Sequence, residues 1–513
     1  MFIDEARQLV EAHGAVRQPL LEAWQETRLR FLAGRLDAPA MLRAQSALRG
    51  ADADPVLLDQ VQEALLSPLE DPGLEARLLA LFQELAEGQG DKALRLRQDE
   101  LQLGIEERWL RQRPLVFGKA LPRRDLRRVL AESRLAEERA PAWEALTAPG
   151  PAGAEELLEW LRLEDEAARA GGWSGALERR ALRLGLDSGR PERWLDELRA
   201  RLGPAILAAA ESRRGADPEA TALRRGALYS AGAPGQDGLP PGGFLRTLAR
   251  KPPLDLLQEV AELLGLEIGA QLQPWVTEAE QLPELLQGLV SGPEGRWPVV
   301  LLDLRADPWG ARRALHGLGE SLARQATAVS LRERGEEPGP ACAQRALQSF
   351  TLGRLLADLP GNPECAGRLL EDLEPGWEAW WREQALLELG EELLRVDWLA
   401  RIPATVREAG GLWLRLRREW LGLPERVEEA DLWTVDPGLG LRAGESLPRL
   451  AARLLAAGLR ARWRDVGPAA SPEWGGLLLE SLTEPDDPEL WEESADRLLE
   501  ALDPAALAAE LTA

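Results

Sequence analysis

Residues 306–359 read ADPWGARRALHGLGESLARQATAVSLRERGEEPGPACAQRALQSFTLGRLLADL. Apolar residues recur at three- and four-residue spacing on both sides of RGEEPGP (334–340), where glycine, proline and charge break the pattern. On a helix, His316 and Glu320 would stand one turn apart on one face. Just upstream, residues 296–304 (RWPVVLLDL) are apolar and β-branched between turn residues and read as a strand. Residues 266–272 (LEIGAQL) are the one other stretch of that kind. The fold class follows: mainly α, with one small β-sheet.

Helical periodicity continues in both directions. Residues 16–36 place Leu20, Leu21, Trp24 and Phe31 on one stripe, with Gly34 near the stop. Residues 73–113 read as one long helix or two, with Leu74, Leu78, Phe82 and Leu85 in register before a break at Gly88 and Gly90, and Leu94, Leu101 and Ile105 after it. Residues 122–140 read as a further helix, and Pro141 is expected to open the next. Tryptophans between 377 and 433, Trp413 and Trp420 among them, sit at helical spacing and read as core filling. Loops are expected at 148–153 (APGPAG), 231–243 (AGAPGQDGLPPGG), 360–363 (PGNP) and 467–472 (GPAASP). The 231–243 run reads as a lobe boundary or a flexible lid; as a boundary it separates an N-terminal helical lobe, 1–235, from a C-terminal lobe, 236–513, that carries the sheet and the His316 region.

Composition narrows the function. The chain has 62 Lys and Arg against 86 Asp and Glu, and a net charge of −24 is the wrong sign for a nucleic-acid binder. It contains three lysines, one asparagine, one tyrosine (Tyr229) and two histidines (His13 and His316), so a site built on several His, Cys or Tyr side chains cannot be assembled. Arg in place of Lys, with abundant Ala, Leu, Gly and Pro, fits a GC-rich bacterial genome. Cys342 and Cys365 stand 23 positions apart with no CxxC pair, and read as small core residues in a reducing compartment. The first residues carry acids where a signal peptide needs positive charge, and no run approaches the roughly 20 apolar residues of a membrane span. A cytoplasmic protein without a membrane partner is expected. His13 reads as part of an exposed N-terminal helix with no functional role. No Walker loop, dinucleotide fingerprint or G-x-S-x-G elbow is present.

The 306–359 stretch resembles the metal-site region of the M2/M3 zinc oligopeptidases, the group that contains thimet oligopeptidase and angiotensin-converting enzyme. Their motif is H-E-x-G-H on a helix, followed about 28 residues after the first histidine by a glutamate on the next helix. Two imidazoles at i and i+4 bind zinc, the remote carboxylate completes the protein ligands, and the glutamate beside the first histidine is the general base. This chain reads His316-Gly317-Leu318-Gly319-Glu320, with Gln344 standing 28 residues after His316. The run Leu161-Arg162-Leu163-Glu164-Asp165-Glu166-Ala167-Ala168-Arg169 is similar to a segment that precedes the catalytic lobe in bacterial members. The order of parts also agrees, and the resemblance extends over roughly residues 15–465. It implies a two-lobed helical body with a central groove.

The departures carry the functional expectation. On the motif, Gly317 replaces the base, Glu320 the second histidine, and Gln344 the third ligand. One imidazole, one carboxylate and a neutral amide form a poor zinc set, and glycine has no proton acceptor. The family also uses late tyrosine or histidine groups on the oxyanion, and no histidine or tyrosine follows residue 316. The resemblance therefore implies a pseudoenzyme with no catalytic residue, no metal and no cofactor, in which His316, Gly317, Glu320 and Gln344 are vestigial positions. Its expected partners are peptides in the groove or a catalytically active peptidase paralogue. The rivals are an enzyme with different chemistry in the same cleft, and an acidic helical scaffold whose groove is filled.

Overall fold

The computed structural model describes residues 3–32, 37–69, 71–111, 114–116, 118–121, 125–126, 129, 136–215, 253–265, 288–290, 299–301, 315–320, 322–323, 343–369, 376–436, 438–440, 443–464, 466, 471–482 and 501–512. Nearly all of these are helical. Helix α1 (Ile3–Leu32) is longer than its apolar stripe suggested and carries Pro19 in its interior. The next helices start on one recurring device. Asp37, Asp54 and Asp71 accept hydrogen bonds from first-turn N–H groups of α2 (Ala38–Ala51), α3 (Pro55–Leu65) and α4 (Pro72–Gly88), each with a proline at its first or second position. The acid satisfies donors that the helix leaves open, and the proline has no donor to lose there. Asp91 does the same for α5 (Lys92–Arg111), accepting from Ala93 N at 2.7 Å. The 73–113 region is therefore two helices, broken at 89–91.

The chain then makes a short antiparallel ribbon, β1 (Leu115–Val116) against β2 (Lys119–Ala120), that the sequence did not announce. Helix α6 (Ala136–Thr147) contains Pro141 in its second turn, so this proline does not open a helix as expected. APGPAG is likewise not a loop: Pro149 begins α7 (Pro149–Ala170) and Pro151 is its third residue. Both missing N–H groups fall in the first turn, where a helix has no acceptors for them. Gly150 in this turn is demanded by packing, since a Cβ there would stand 2.1 Å from Thr434 Oγ1. Helices α8 (Ala176–Arg183), α9 (Arg190–Gly215) and α10 (Pro253–Leu263) follow.

The expected strand at 296–304 is present as β4 (Val299–Leu301), paired antiparallel with β3 (Gly288–Val290). Residues 266–272, 231–243 and 334–340, Cys342, Gly34 and the boundary at 235/236 lie outside the described residues. The PGNP run forms a single 3-10 turn, Leu359–Gly361, between α11 (Ala343–Asp358) and α12 (Pro363–Leu369). Then come α13 (Trp377–Leu399), α14 (Val406–Leu421), a 3-10 segment (Val427–Val435), α15 (Ser446–Trp463), α16 (Pro472–Leu482) and α17 (Pro504–Thr512). Helix α14 ends on Gly422 at φ +61°, where Leu423 N–H reaches back to Arg417 O, a left-handed stop that glycine adopts without strain.

One continuous core runs from Leu101 to Leu511 and draws on residues from both sides of position 235. Trp398, Trp413, Trp420 and Trp433 are fully buried in it, with Trp398 stacked on Trp433 at 5.4 Å. These tryptophans are the core filling their spacing implied. Cys365 is buried there too, and burial pushes its thiol up to about 12, which leaves it inert. A separate, smaller core joins Ala6 and Val10 of α1 to Val61 of α3 and Leu74, Leu78, Leu81 and Leu85 of α4. His13 lies on the buried side of α1, only 5% exposed, contrary to the expectation of an exposed residue. Among the described residues no helix is long and apolar enough to cross a membrane.

Candidate functional site

Residues 315–320 and 322–323 are helical and sit in the main core through Leu315, Leu318, Leu322 and Ala323. His316 and Glu320 stand on the flank of this helix, with side chains 25% and 17% exposed and His316 Nδ1 3.3 Å from Glu320 Oε1. The i, i+4 spacing alone produces such a contact.

The helix crosses α11 at very short range. A Cβ on Gly319 would lie 2.4 Å from Leu352 O, and one on Gly353 would lie 2.7 Å from His316 O and 3.0 Å from His316 Cε1 and Nδ1. Ser349 Oγ donates to Glu320 O at 3.2 Å, so the two segments run antiparallel. The Phe350 ring meets the imidazole edge-on at 6.2 Å. What the imidazole faces on α11 is thus an aromatic ring and a glycine backbone. Gln344 belongs to the first turn of the same helix, nine residues before Gly353 and so about 13 Å away along the axis at 1.5 Å per residue.

The sequence therefore brings His316 and Glu320 together and leaves Gln344 well along α11 from the imidazole. Gly317 is buried and offers only backbone. The zinc set that the resemblance implies does not fit these residues. One imidazole already faces a carboxylate, the second imidazole has no candidate on the helix, and no acid stands at the base position.

Charge that the sequence reading missed lies deeper, on α13. Arg453 of α15 holds Glu392 with two hydrogen bonds, at 2.7 and 3.0 Å, and is 1% exposed. Burial pushes the Glu392 carboxyl up, but the Arg453 guanidinium, with Arg354 nearby, more than offsets this and holds it below its usual range. Arg395 binds Asp436 at 2.8 and 3.0 Å and Glu391 at 3.0 Å. With that one guanidinium shared between two carboxylates, burial wins at Glu391 and raises it to about 8. A perturbed carboxyl can mark an active site. Here, however, Glu391, Arg395 and Asp436 are all at least nine-tenths buried and paired with each other, as in a structural ion network. The available signal was the i, i+4 spacing of Glu391 and Arg395 on one helix.

The architecture has close counterparts among solved structures. PZ peptidase A, in complex with an inhibitor, superposes with a TM-score of 0.66 at 12% identity, covering 98% of this chain and 96% of that one. A Pyrococcus furiosus carboxypeptidase gives 0.61 at 11% identity over 100% and 99%. A candidate oligoendopeptidase F of Bacillus anthracis gives 0.56 at 9% identity over 100% and 95%. The chain has a helical peptidase fold. Identities this low bear on fold alone. No family model matches the sequence, and no curated protein matches it.

Proposed function

We propose that this protein is a catalytically inactive relative of the M2/M3 zinc oligopeptidases that acts by binding, with a peptide in the groove beside His316 or an active peptidase paralogue as its ligand. The observation that carries the reading is the His316–Glu320 contact, which stands where the family motif needs two imidazoles, on a chain whose whole length follows a peptidase fold. Gly317 supplies no base, so a bound peptide would meet no activated water. The partial exposure of His316 and Glu320 supports an accessible groove edge over a filled one. The acidic, lysine-poor chain suits a cytoplasmic setting and basic peptides as ligands.

The test is a mixed peptide library presented to purified protein, read for cleavage by mass spectrometry and for binding by fluorescence polarisation. Saturable binding without cleavage, weakened severalfold in Glu320→Lys, is the expected result. Turnover that disappears in His316→Ala would overturn the reading.

A further inference from the structure

His13, Asp52 and Glu84 form a cluster that the peptidase reading does not use. Their ligating atoms all lie within 4.8 Å of one another, and they come from three separate elements: α1, the residue that caps the C-terminus of α2, and α4. The His13 side chain is 3% exposed and Asp52 is 14% exposed. His13 Nε2 is buried and makes no hydrogen bond, although Asp52 Oδ1 stands 3.4 Å from it. We propose that this cluster is a binding site for one divalent transition-metal cation of the zinc class, which pins α1, α2 and α4 together.

Several observations converge on the cation. Two ligands held at about 2.0–2.1 Å from a tetrahedral metal are roughly 3.4 Å apart, the separation of His13 Nε2 and Asp52 Oδ1. A buried imidazole nitrogen beside a carboxylate oxygen, yet not hydrogen-bonded to it, is short of a partner, and a metal ion is one that both atoms can share. The donor set, one nitrogen and two carboxylates, favours zinc-like ions over magnesium, which takes oxygen ligands and retains water. Glu84, 25% exposed, can close the remaining distance by side-chain rotation.

Two features hold the ligands in place. Arg17 Nε donates to Asp52 Oδ1 at 2.9 Å, and its NH2 group lies 3.1 Å from Glu84 Oε1. Arg17 thus orients the two acids as an outer partner, and, counting His13 as neutral, the formal charge of His13, Asp52, Glu84 and Arg17 together is −1 before a cation enters. Gly88 at the end of α4 packs so closely on the Asp52 carbonyl that a Cβ there would stand 1.6 Å from its oxygen. The close approach of α4 to the α2 terminus is what brings Glu84 to Asp52.

The experiment is titration of the metal-stripped full-length chain with Zn2+, followed by calorimetry and by the thermal unfolding midpoint. One equivalent is expected to bind and raise the midpoint by several degrees. His13→Gln and Glu84→Gln should each weaken binding tenfold or more, while His316→Ala leaves it unchanged. Absence of saturable one-equivalent binding in the wild-type chain overturns the proposal even if His13→Gln fails to fold. Wild-type affinity retained in a folded Glu84→Gln overturns it as well. Binding lost in His316→Ala would instead place the metal at the oligopeptidase position, which overturns both this site and the inactive reading.

Discussion

The chain has two histidines, and their surroundings are opposite in kind. His316 occupies the position that a peptidase resemblance marks for metal, yet it faces a phenyl ring, a glycine and one carboxylate, and a quarter of its side chain is exposed. His13 occupies a position that no motif marks, yet it is buried beside Asp52 and Glu84, with Arg17 of its own helix bridging the two acids. A motif position is defined by sequence spacing, whereas a ligand set is defined by what three separate segments bring to one point. A motif position can be kept without its chemistry, as proposed for His316, and a cluster such as that around His13 arises without a linear signature.

Both environments hang on a glycine, which gives the largest ways to break the comparison. Gly88→Ala forces a Cβ onto the Asp52 backbone and is expected to cost more than the roughly 1–3 kcal/mol usual for overpacking, read as a fall in the urea midpoint. If the variant unfolds like wild type, the α4–Asp52 contact does not hold the His13 cluster. Gly319→Ala, with its Cβ 2.4 Å from Leu352 O, is expected to cost about 2–3 kcal/mol by the same measurement. A negligible change there would show that the His316 helix and α11 are not locked together.

The pH dependence of stability has to be assigned before either histidine is credited with it. Burial raises the folded-state value of Glu391 from its ordinary 4.5 to about 8. The folded protein then binds the proton more tightly than the unfolded chain. Glu391 therefore supports stability below about pH 4.5, and that contribution is lost as pH rises toward 8. Glu391→Gln removes this slope, so the variant should gain on the order of 2 kcal/mol relative to wild type between pH 6 and pH 7.5. Parallel pH profiles for variant and wild type would contradict this account. The smallest expected effect is Glu320→Gln. It removes one charge from a partly exposed i, i+4 contact and should change stability by no more than about 0.5 kcal/mol in thermal unfolding.

Helix content and much of the core were legible because they depend on local spacing. Leu74, Leu78 and Leu85 are buried where their register placed them, and Trp413 and Trp420 fill the core. Prolines misled wherever first-turn and interior positions could not be told apart. Pro149 and Pro151 sit inside a helix start that read as a loop, and Pro141 sits inside a helix it was expected to open. At the candidate site the His316–Glu320 contact was readable from i, i+4 spacing alone. The distance between His316 and the Gln344 turn was not, because it depends on how two helices slide past each other.

By itself the sequence determined that this chain would be helical, acidic and short of the imidazole and phenol groups that a zinc peptidase needs. Residue inventory and periodicity are properties of the chain before it folds. The tertiary structure decided that His316 would face Phe350 and Gly353, that Glu391 would share Arg395 with Asp436, and that His13 would be enclosed by Asp52 and Glu84. Each of these joins residues tens of positions apart, and helix packing sets their distances and their exposure to water. Those distances and that desolvation decide whether a charge is neutralised, shifted or left ready for a ligand.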